Sequence, residues 1–319
     1  MRLESRGRRP GRSRRLGGLL AAAALAAFIM VSRVLADQTV PTSETPVITL
    51  HSPSGLITIE SDEGIDVRLS GSDNVGVSRF AVSRLNDQRV MLPPTKIRRL
   101  TADGWYSANL PARQCFIPGL RDGADGVRIE NPGGDITLRL PRRVGALFVN
   151  AGAGSVVLNR LRGPYIIMSS GGDVRLHNAF GFGFVRTVDG TVDLRGVGGN
   201  VRVDTADGRI VSGFSIAGRA DVQTQRGEIE WNFGRLGRGP YRFRSDSGNI
   251  RIGVPAGMGV NVDAQSQNGA VNNGLDAGSG TVRFASARAV SLSVGSGGPE
   301  IAAQSRSGTI TIVPLEPRK

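Results

Sequence analysis

The chain has 319 residues, of which 39% are hydrophobic, 5% are aromatic and 45 are Gly, and its formal net charge is +13. This length can bury a core, and the absence of a Gly-x-y period excludes collagen. Residues 1–36 hold eight Arg and one Glu, so much of the charge lies there. Because no later basic run has interleaved aromatic residues, nucleic acid is disfavoured as a partner. The single Cys, Cys115, excludes an intrachain disulfide and a Cys-based metal site.

Residues 1–36 have the order of an export signal. A basic stretch, "MRLESRGRRPGRSRR", precedes the apolar stretch "LGGLLAAAALAAFIMV", and "VLA" precedes Asp37. The small or compact residues of "VLA" predict cleavage after Ala36. The apolar stretch is shorter than the roughly 20 residues of a membrane span. We expect a signal peptide, or alternatively an uncleaved anchor, and a location in the periplasm, on the cell surface or outside the cell. Membrane contact is expected only through this segment, if it is uncleaved.

The next segment predicts a linker and then several strands. Residues 37–46, "DQTVPTSETP", are polar and contain Pro, which is typical of a linker. Residues 47–112 contain short strand patterns separated by turns, and residues 113–125 form a connector.

One phrase in this region, "SGSDNVGVSRFAV", contains Asp73, Asn74 and Gly76. It resembles bacterial immunoglobulin-like domains, which implies a small β-sandwich over 47–112. As an alternative, "SPSGLITIE" around Gly55 has the pattern of one coil of the repeat that follows.

From residue 126 to 319 a short phrase recurs around a Gly, as in "VRVDTADGRIVSG" around Gly208. Most of these Gly residues are spaced by 18 to 21 positions, and the last interval is 39. A period near 20 is typical of a solenoid. The recurring residues are Gly134, Gly154, Gly172, Gly190, Gly208, Gly227, Gly248, Gly269 and Gly308.

Alternate positions around each Gly are apolar and often β-branched, which is the period of a β-strand. Each repeat therefore predicts two short strands, with the Gly at the corner between them. Three positions before most of the Gly residues, a Ser or Thr can bond to the turn backbone. The sequence predicts an all-β fold, a β-helix (β-solenoid) of about nine or ten coils with a small N-terminal β-sandwich-like segment. Val203, Val222 and Phe243 should stack inward on consecutive coils.

Outward positions carry alternating charges in the later repeats. Opposite charges on neighbouring strands stabilise a sheet weakly and help to fix its register. The predicted neighbours six positions before the Gly are Arg202, Asp221, Arg242 and Asp263, and those three positions after it are Arg175 with Asp193 and Glu230 with Arg251.

The first coils instead carry an outward apolar patch, formed by Phe148, Ile166, Met168 and Phe184. Such a patch is rarely left in water. It predicts either contact with residues 45–120 of the same chain or a surface that binds a partner.

Residues 126–319 are similar to the bacterial "putative adhesin" repeat family. The phrases that carry the resemblance are "SSGGDVRL", "TVDGTVDL", "SDSGNIRI" and "SRSGTITI". The resemblance implies a β-helix of an exported or envelope protein, in a family whose molecular function is mostly unassigned.

The sequence singles out no catalytic or metal-binding residues and implies no cofactor. Four Asp residues lie beside the corner Gly, where Asp commonly forms turns, and they are Asp173, Asp189, Asp207 and Asp246. Asp193 and Asp204 fall on outward strand positions beside Arg. His51 and His177 lie far apart, and neither has a neighbouring Cys or His.

These patterns predict a non-catalytic exported scaffold or adhesion module of the bacterial cell envelope. Its partner would be a surface polymer or another envelope protein. The alternative is a carbohydrate-active β-helix enzyme, a polysaccharide lyase or hydrolase, which needs clustered carboxylates on one exposed face. A third interpretation is self-assembly by end-to-end stacking of coils, which requires uncapped ends; the sequence does not predict the oligomeric state.

Overall fold

The structure of the protein is a computed structural model that describes residues 37–81, 89–92, 95–101, 104–110, 113–116, 124–278 and 280–316. These ranges contain strands and no helix, so the fold is all-β as predicted. None of the described segments is a helix that is long and apolar enough to cross a membrane. The predicted signal peptide or anchor lies outside the described residues.

The first nine strands precede the repeats. They are β1 (Asp37–Val40), β2 (Val47–His51), β3 (Leu56–Asp62), β4 (Val67–Ser70), β5 (Gly76–Ala81), β6 (Arg89–Leu92), β7 (Thr95–Thr101), β8 (Gly104–Leu110) and β9 (Arg113–Phe116). Strand β6 pairs with β9, and β7 pairs with β8, both antiparallel, so these four form nested hairpins.

The repeats contribute the other strands, whose inward positions are buried in alternation, as in β21 and β23. They are β10 (Asp125–Glu130), β11 (Ile136–Pro141), β12 (Ala146–Asn150), β13 (Ser155–Asn159), β14 (Tyr165–Ser169), β15 (Val174–His177), β16 (Phe180–Thr187), β17 (Val192–Arg195), β18 (Gly198–Thr205), β19 (Ile210–Thr224), β20 (Ile229–Phe233), β21 (Tyr241–Ser245), β22 (Ile250–Pro255), β23 (Val260–Ser266), β24 (Val271–Asn273), β25 (Thr281–Ala285), β26 (Ala289–Val294), β27 (Glu300–Ser305) and β28 (Ile310–Leu315).

The strands form a solenoid in which each coil has two strands. We call the sheet of strands that precede the corner Gly the first sheet, and the sheet of strands that follow it the second sheet. Each strand pairs in parallel with the equivalent strand of the next coil, and the long strand β19 passes from the second sheet into the first. In space the coils follow the order β10/β11, β2/β3, β12/β13, β14/β15, β16/β17, β18/β19, β19/β20, β21/β22, β27/β28 and β23/β24.

This order departs from the chain order at both ends. The coil β2/β3 lies between β10/β11 and β12/β13. The coil β27/β28 lies between β21/β22 and β23/β24. A separate immunoglobulin-like domain over 47–112 is therefore not confirmed: residues 47–62 form a coil of the solenoid, because Ile57 and Ile59 join the common core and Gly55 occupies a corner.

Antiparallel strands cover the ends of the solenoid. At one end β5 pairs with β10, β4 with β11 and β1 with β4. At the other end β26 pairs with β23, and β25 pairs with β26. Among the described residues, both ends of the first sheet are therefore covered, whereas in the second sheet the terminal strand β24 pairs only with β28. The outermost strand, β25, carries Arg283 at its centre, and such a charge opposes pairing between edges.

Close backbone approach explains the recurring corner Gly. A Cβ atom at Gly248 would lie 1.7 Å from the carbonyl oxygen of Gly227, and one at Gly208 would lie 2.1 Å from that of Gly190. The predicted bonds between Ser or Thr side chains and the turn backbone are confirmed. At six corners the Ser or Thr oxygen three positions before the Gly accepts a hydrogen bond of 2.7–3.0 Å from the Gly amide. The acceptors are Ser169, Thr205, Thr224, Ser245, Ser266 and Ser305.

The core lies between the two sheets. Val203, Val222 and Phe243 are buried and stack in register on consecutive coils, as predicted. Phe243 packs with Trp231 at a ring distance of 5.6 Å, in an aromatic cluster that also includes Phe233. This filled interior leaves the outer faces and corners of the coils as the places where a ligand can bind.

Candidate functional site

The predicted apolar patch on the first sheet is covered by the chain itself. Phe148, Ile166 and Phe184 lie side by side on neighbouring strands. Ile166 is 3% exposed and Phe184 is fully buried, while Phe148 and Met168 are half-buried. They form a second small core with Val47, Phe80, Ala124 and Ala146. Because Val47 and Phe80 fall within residues 45–120, the interpretation as an internal contact describes the patch better than that of a partner surface.

A buried ion pair borders this patch. Arg186 and Asp204 lie 3.1 Å apart on adjacent strands, with side chains 1% and 0% exposed. The side-chain amide of Gln223, on the next coil, also donates a hydrogen bond to Asp204. The sequence placed Asp204 on an outward position, but its burial depends on what covers this face, which the repeat pattern does not encode. The pair therefore has a structural role.

The predicted charge ladder is shorter than expected. Asp221 lies in register between Arg202 and Arg242, and its carboxylate approaches Arg202 at 3.6 Å and Arg244 at 3.9 Å. The prediction for Asp263 is wrong, because β27 separates β23 from β21.

On the second sheet the predicted neighbours Arg175 and Asp193 are in register, as are Glu230 and Arg251. Three of these side chains nevertheless form their ion pairs with other partners: Arg175 with Asp173, Asp193 with Arg195 and Glu230 with Arg209.

The acidic residues beside the corner Gly support the turns. Asp173 accepts a hydrogen bond from the Thr191 amide of the next coil at 2.9 Å, and Asp207 binds Arg226 through two contacts of 2.6 and 2.9 Å. Across the described ranges, no group of three or more His, Cys, Asp or Glu residues has the arrangement of a metal site.

The solenoid has two long edges with different charge. We define the Gly ridge as the loops that lead from a first-sheet strand to a second-sheet strand, and the Arg ridge as the loops that lead back to the first sheet. The Gly ridge comprises 52–55, 131–135, 151–154, 170–173, 188–191, 206–209, 225–228, 246–249, 267–270 and 306–309. The Arg ridge comprises 142–145, 160–164, 178–179, 196–197, 234–240 and 256–259, together with 213–218, the part of β19 where that strand passes between the sheets.

On the Gly ridge, every Arg has an acidic partner on the same ridge. These pairs join Arg209 to Glu228, Arg226 to Asp207 and Arg306 to Asp246, at 3.8, 2.6 and 3.8 Å. This ridge holds six acidic residues against three Arg, so its cations are paired and its net charge is negative.

The segments that form the Arg ridge contain Arg but no Asp or Glu, whereas the loop that follows β24 contains Asp276 and no Arg. All Arg side chains of the Arg ridge are exposed, and none forms an ion pair with another residue in the described part of the chain. They are Arg142, Arg143, Arg160, Arg162, Arg235 and Arg238. This ridge therefore presents cationic groups that remain available to an anionic ligand.

A column of left-handed backbone runs along the Arg ridge. Arg160, Asn178, Gly196 and Phe214, on successive coils, have φ values of 56°, 55°, 60° and 55°. Asn and Gly tolerate this conformation, whereas it costs about 1–2 kcal/mol for most other residues. Arg160 and Phe214 thus occupy positions where the backbone favours another residue type, and such strain is concentrated at functional sites.

A cleft of about 480 Å³ opens beside Arg160. Its lining residues include three Arg, two acidic residues and one aromatic residue, namely Arg142, Arg160, Arg162, Asp62, Glu63 and Phe180, together with Ser61 and Asn178. Phe180 is 36% exposed and lies in register with Gly198 and, beyond it, Ile216, which is 43% exposed. Cationic and exposed apolar groups therefore adjoin at this edge.

This edge is not predicted from the sequence, because the repeats were aligned only over the strand positions close to the corner Gly. A signal was present: Arg162, Phe180 and Ile216 each follow a corner Gly by eight positions. In space, Arg162 bridges to Arg143 on one side and to Phe180 on the other.

Comparisons with known proteins find two solved structures and one protein family. Two solved structures are similar at low identity. A "putative cell adhesion protein" from Clostridium sporogenes is 12% identical, covers 88% of this chain and 99% of its own, and has a TM-score of 0.23. A "putative adhesin" from Bacteroides fragilis is 13% identical, covers 89% of this chain and 98% of its own, and has a TM-score of 0.38. No curated protein matches the chain. The model of the Toastrack DUF4097 family matches residues 39–313, and the chain therefore belongs to that family.

Proposed function

We propose that this protein is a non-catalytic binding module, exported to the bacterial cell envelope or surface, that holds an anionic surface polymer along its Arg ridge. The observation that carries this proposal is the contrast in pairing. Arg side chains on the Gly ridge have acidic partners, whereas those on the Arg ridge are exposed and have none among the described residues.

The geometry of the stack suits a linear ligand. Neighbouring strands lie about 4.8 Å apart, so Arg162 and Arg235, which follow strands β13 and β20, are separated by four strand spacings, or about 19 Å. The ridge therefore presents two groups of cations, because the three segments between Arg162 and Arg235 contain no Arg. Two such groups can meet separated charges of one polymer chain, and they raise the rate of encounter with it. The filled core and the engaged Asp residues supply no comparable arrangement for catalysis.

Binding of polygalacturonate, with neutral galactan as reference, tests the proposal. Replacing Arg235 and Arg238 by Gln should weaken polygalacturonate binding about tenfold, because two charge-assisted contacts are lost. Replacing Arg226 and Arg306 by Gln, on the Gly ridge, removes the same net charge and should leave binding nearly unchanged. Equal losses of polygalacturonate binding in both variants would mean that only the net charge of the protein matters, and would refute a role for the Arg ridge.

The same samples test the carbohydrate-active enzyme. Polygalacturonate and bacterial cell-wall fractions, incubated with the protein, should release no new reducing ends and no unsaturated sugars. Release that exceeds a heat-inactivated control would contradict the non-catalytic assignment.

Export depends on residues 1–36. Expression in a bacterial host should give a mature protein that begins at Asp37, as read by N-terminal sequencing. Intact Met1 in a soluble cytoplasmic fraction would refute export.

A further inference from the structure

We propose that the cleft beside Arg160 is a subsite for a carboxylated sugar residue, so that the polymer held by the Arg ridge is an acidic polysaccharide. This inference rests on the proposed function and narrows it from an anionic polymer to one class of polymer. It concerns the region where the Arg ridge adjoins the end of β3.

The three guanidinium groups of the cleft suit a carboxylate. Arg142, Arg160 and Arg162 line the same 480 Å³ space. None of them has an acidic partner among the described residues, although Asp62 and Glu63 line the cleft as well. A guanidinium group binds a carboxylate through two parallel hydrogen bonds, which fixes the orientation of the ligand as well as its charge.

The two acids argue for a ligand that also donates hydrogen bonds. Asp62 is held in place, because its carboxylate accepts the Gly64 amide at 2.8 Å and approaches Arg68 at 3.9 Å. A carboxylate in the cleft repels a ligand that carries only negative charge, such as polyphosphate or an anionic membrane. A sugar acid avoids this conflict, because its carboxylate can meet the Arg side chains while its hydroxyl groups donate to Asp62 and Glu63.

Phe180 adds an apolar surface to the cleft. Its ring is partly exposed at the edge of the stack, where it follows Arg162 on the next coil. The C–H face of a sugar ring is apolar, so it can pack on an aromatic ring while the polar groups of the sugar point elsewhere. Asn178 provides both amide donors and a carbonyl acceptor beside it.

The backbone at Arg160 supports the same conclusion. The equivalent positions of the next two coils are Asn178 and Gly196, which adopt a positive φ at little cost. Arg160 keeps a long cationic side chain there despite the strain, and the Ser61 hydroxyl donates to its carbonyl oxygen. The strained residue is thus anchored where its guanidinium lines the cleft.

Calorimetry with tetragalacturonate tests the subsite, because a short oligomer needs the cleft but not the whole ridge. At roughly 0.15 M ionic strength, replacing Arg142 and Arg162 by Gln should raise its Kd about tenfold, the loss of one bidentate contact. Replacing Arg235 and Arg238 should leave this Kd within about twofold, since they lie several coils away. Phe180→Ser should weaken tetragalacturonate binding but not tripolyphosphate binding. Thermal melts of all variants identify any that fail to fold, and Arg162→Gln alone then replaces the double variant.

The outcomes separate the two proposals. Binding of tetragalacturonate that exceeds binding of its methyl ester and of tripolyphosphate, with loss only in the cleft variants, supports the subsite. If the Arg142/Arg162 and Arg235/Arg238 variants weaken all anions equally, the subsite is refuted and the proposed function stands. If no soluble anion binds, or only phosphatidylglycerol vesicles bind, both proposals fail.

Discussion

The Gly ridge and the Arg ridge are the two edges of one solenoid, yet they differ in loop length and in the pairing of their charges. Gly ridge loops have four or five residues, and their backbones pack so closely that a Cβ atom at Gly248 would collide with a carbonyl group. Arg ridge segments vary from two to seven residues, and their Arg side chains have no acidic partner among the described residues. Close backbone packing occurs at this edge too, since a Cβ atom at Gly163 would lie 2.3 Å from the Val144 carbonyl oxygen. The edges therefore differ in segment length and charge pairing, and the edge with freedom of length and sequence can accommodate a binding site.

If paired charges stabilise the fold, loss of the buried pair Arg186–Asp204 should have the largest effect. Asp204→Ala should lower the free energy of unfolding by about 3–5 kcal/mol, because it leaves the Arg186 charge buried without its carboxylate. The exposed Asp263→Ala is the control and should change stability by less than about 0.5 kcal/mol. Urea unfolding measures both. Similar small losses would mean that Arg186 finds water when its partner is removed.

Replacing a corner Gly should cause the next largest loss of stability. Gly248→Ala should cost about 1–3 kcal/mol, because the new methyl group overpacks the backbone of the neighbouring coil. Gly171→Ala, on the same ridge but with no atom within 4 Å of the added carbon, should be nearly neutral. Thermal melts compare the two, and equal melting temperatures would show that the corner relaxes.

Breaking an exposed ion pair should lower the free energy of unfolding by less. Asp207→Ala breaks the bidentate contact with Arg226 and should cost about 0.5–1 kcal/mol, less at high salt. Arg238→Gln, on the Arg ridge, should leave stability unchanged or slightly increased, since no pair is lost and repulsion falls. Chemical unfolding at low and high salt measures this difference. If Arg238→Gln were the more destabilising of the two, charge pairing would not distinguish the Gly ridge from the Arg ridge.

Tyr165, in the core between the two ridges, should show the smallest effect at neutral pH. Burial raises the pKa of its phenol, and its hydroxyl has no hydrogen-bond partner within the described structure. Tyr165→Phe should be neutral or slightly stabilising at pH 7. The unfolded phenol ionises near pH 10 while the buried one stays protonated, so stability falls above about pH 10, by roughly 1.4 kcal/mol per pH unit. The variant should lose less stability than the wild type in alkaline unfolding experiments; identical slopes would place the phenol in contact with water.

The coil positions could be predicted from the sequence because two constraints coincide at each corner. The apolar alternation identifies the inward residues, and the Gly marks where backbones touch, which is why Val203, Val222 and Phe243 were placed in register. The order of the coils could not be predicted in the same way. Every coil presents the same inward pattern and the same backbone edges, so β22 accepts β28 as readily as β24.

The Arg ridge could not be predicted either, for a different reason. A ligand site has no period of its own, and Arg142 and Arg235 lie in loops of unequal length. Their common property is the lack of an acidic neighbour, which only the folded structure shows. Burial of Asp204 was equally invisible, because the pattern of a strand says which side faces outward but not what covers that side.

The interleaved coils constrain how this protein is made and how its gene can change. During synthesis from the N-terminus, one edge of β22 cannot pair with its final neighbour, β28, until the coil β27/β28 has been translated. The coil β2/β3 likewise receives its first neighbour only after residue 141 and its second only after residue 159. Assembly is therefore not a steady winding from one end to the other. For the same reason a copy of a repeat inserted directly after β28 would follow a coil that already has a neighbour on each side. Insertion among the middle coils, where chain order and spatial order agree, would lengthen the solenoid without this conflict.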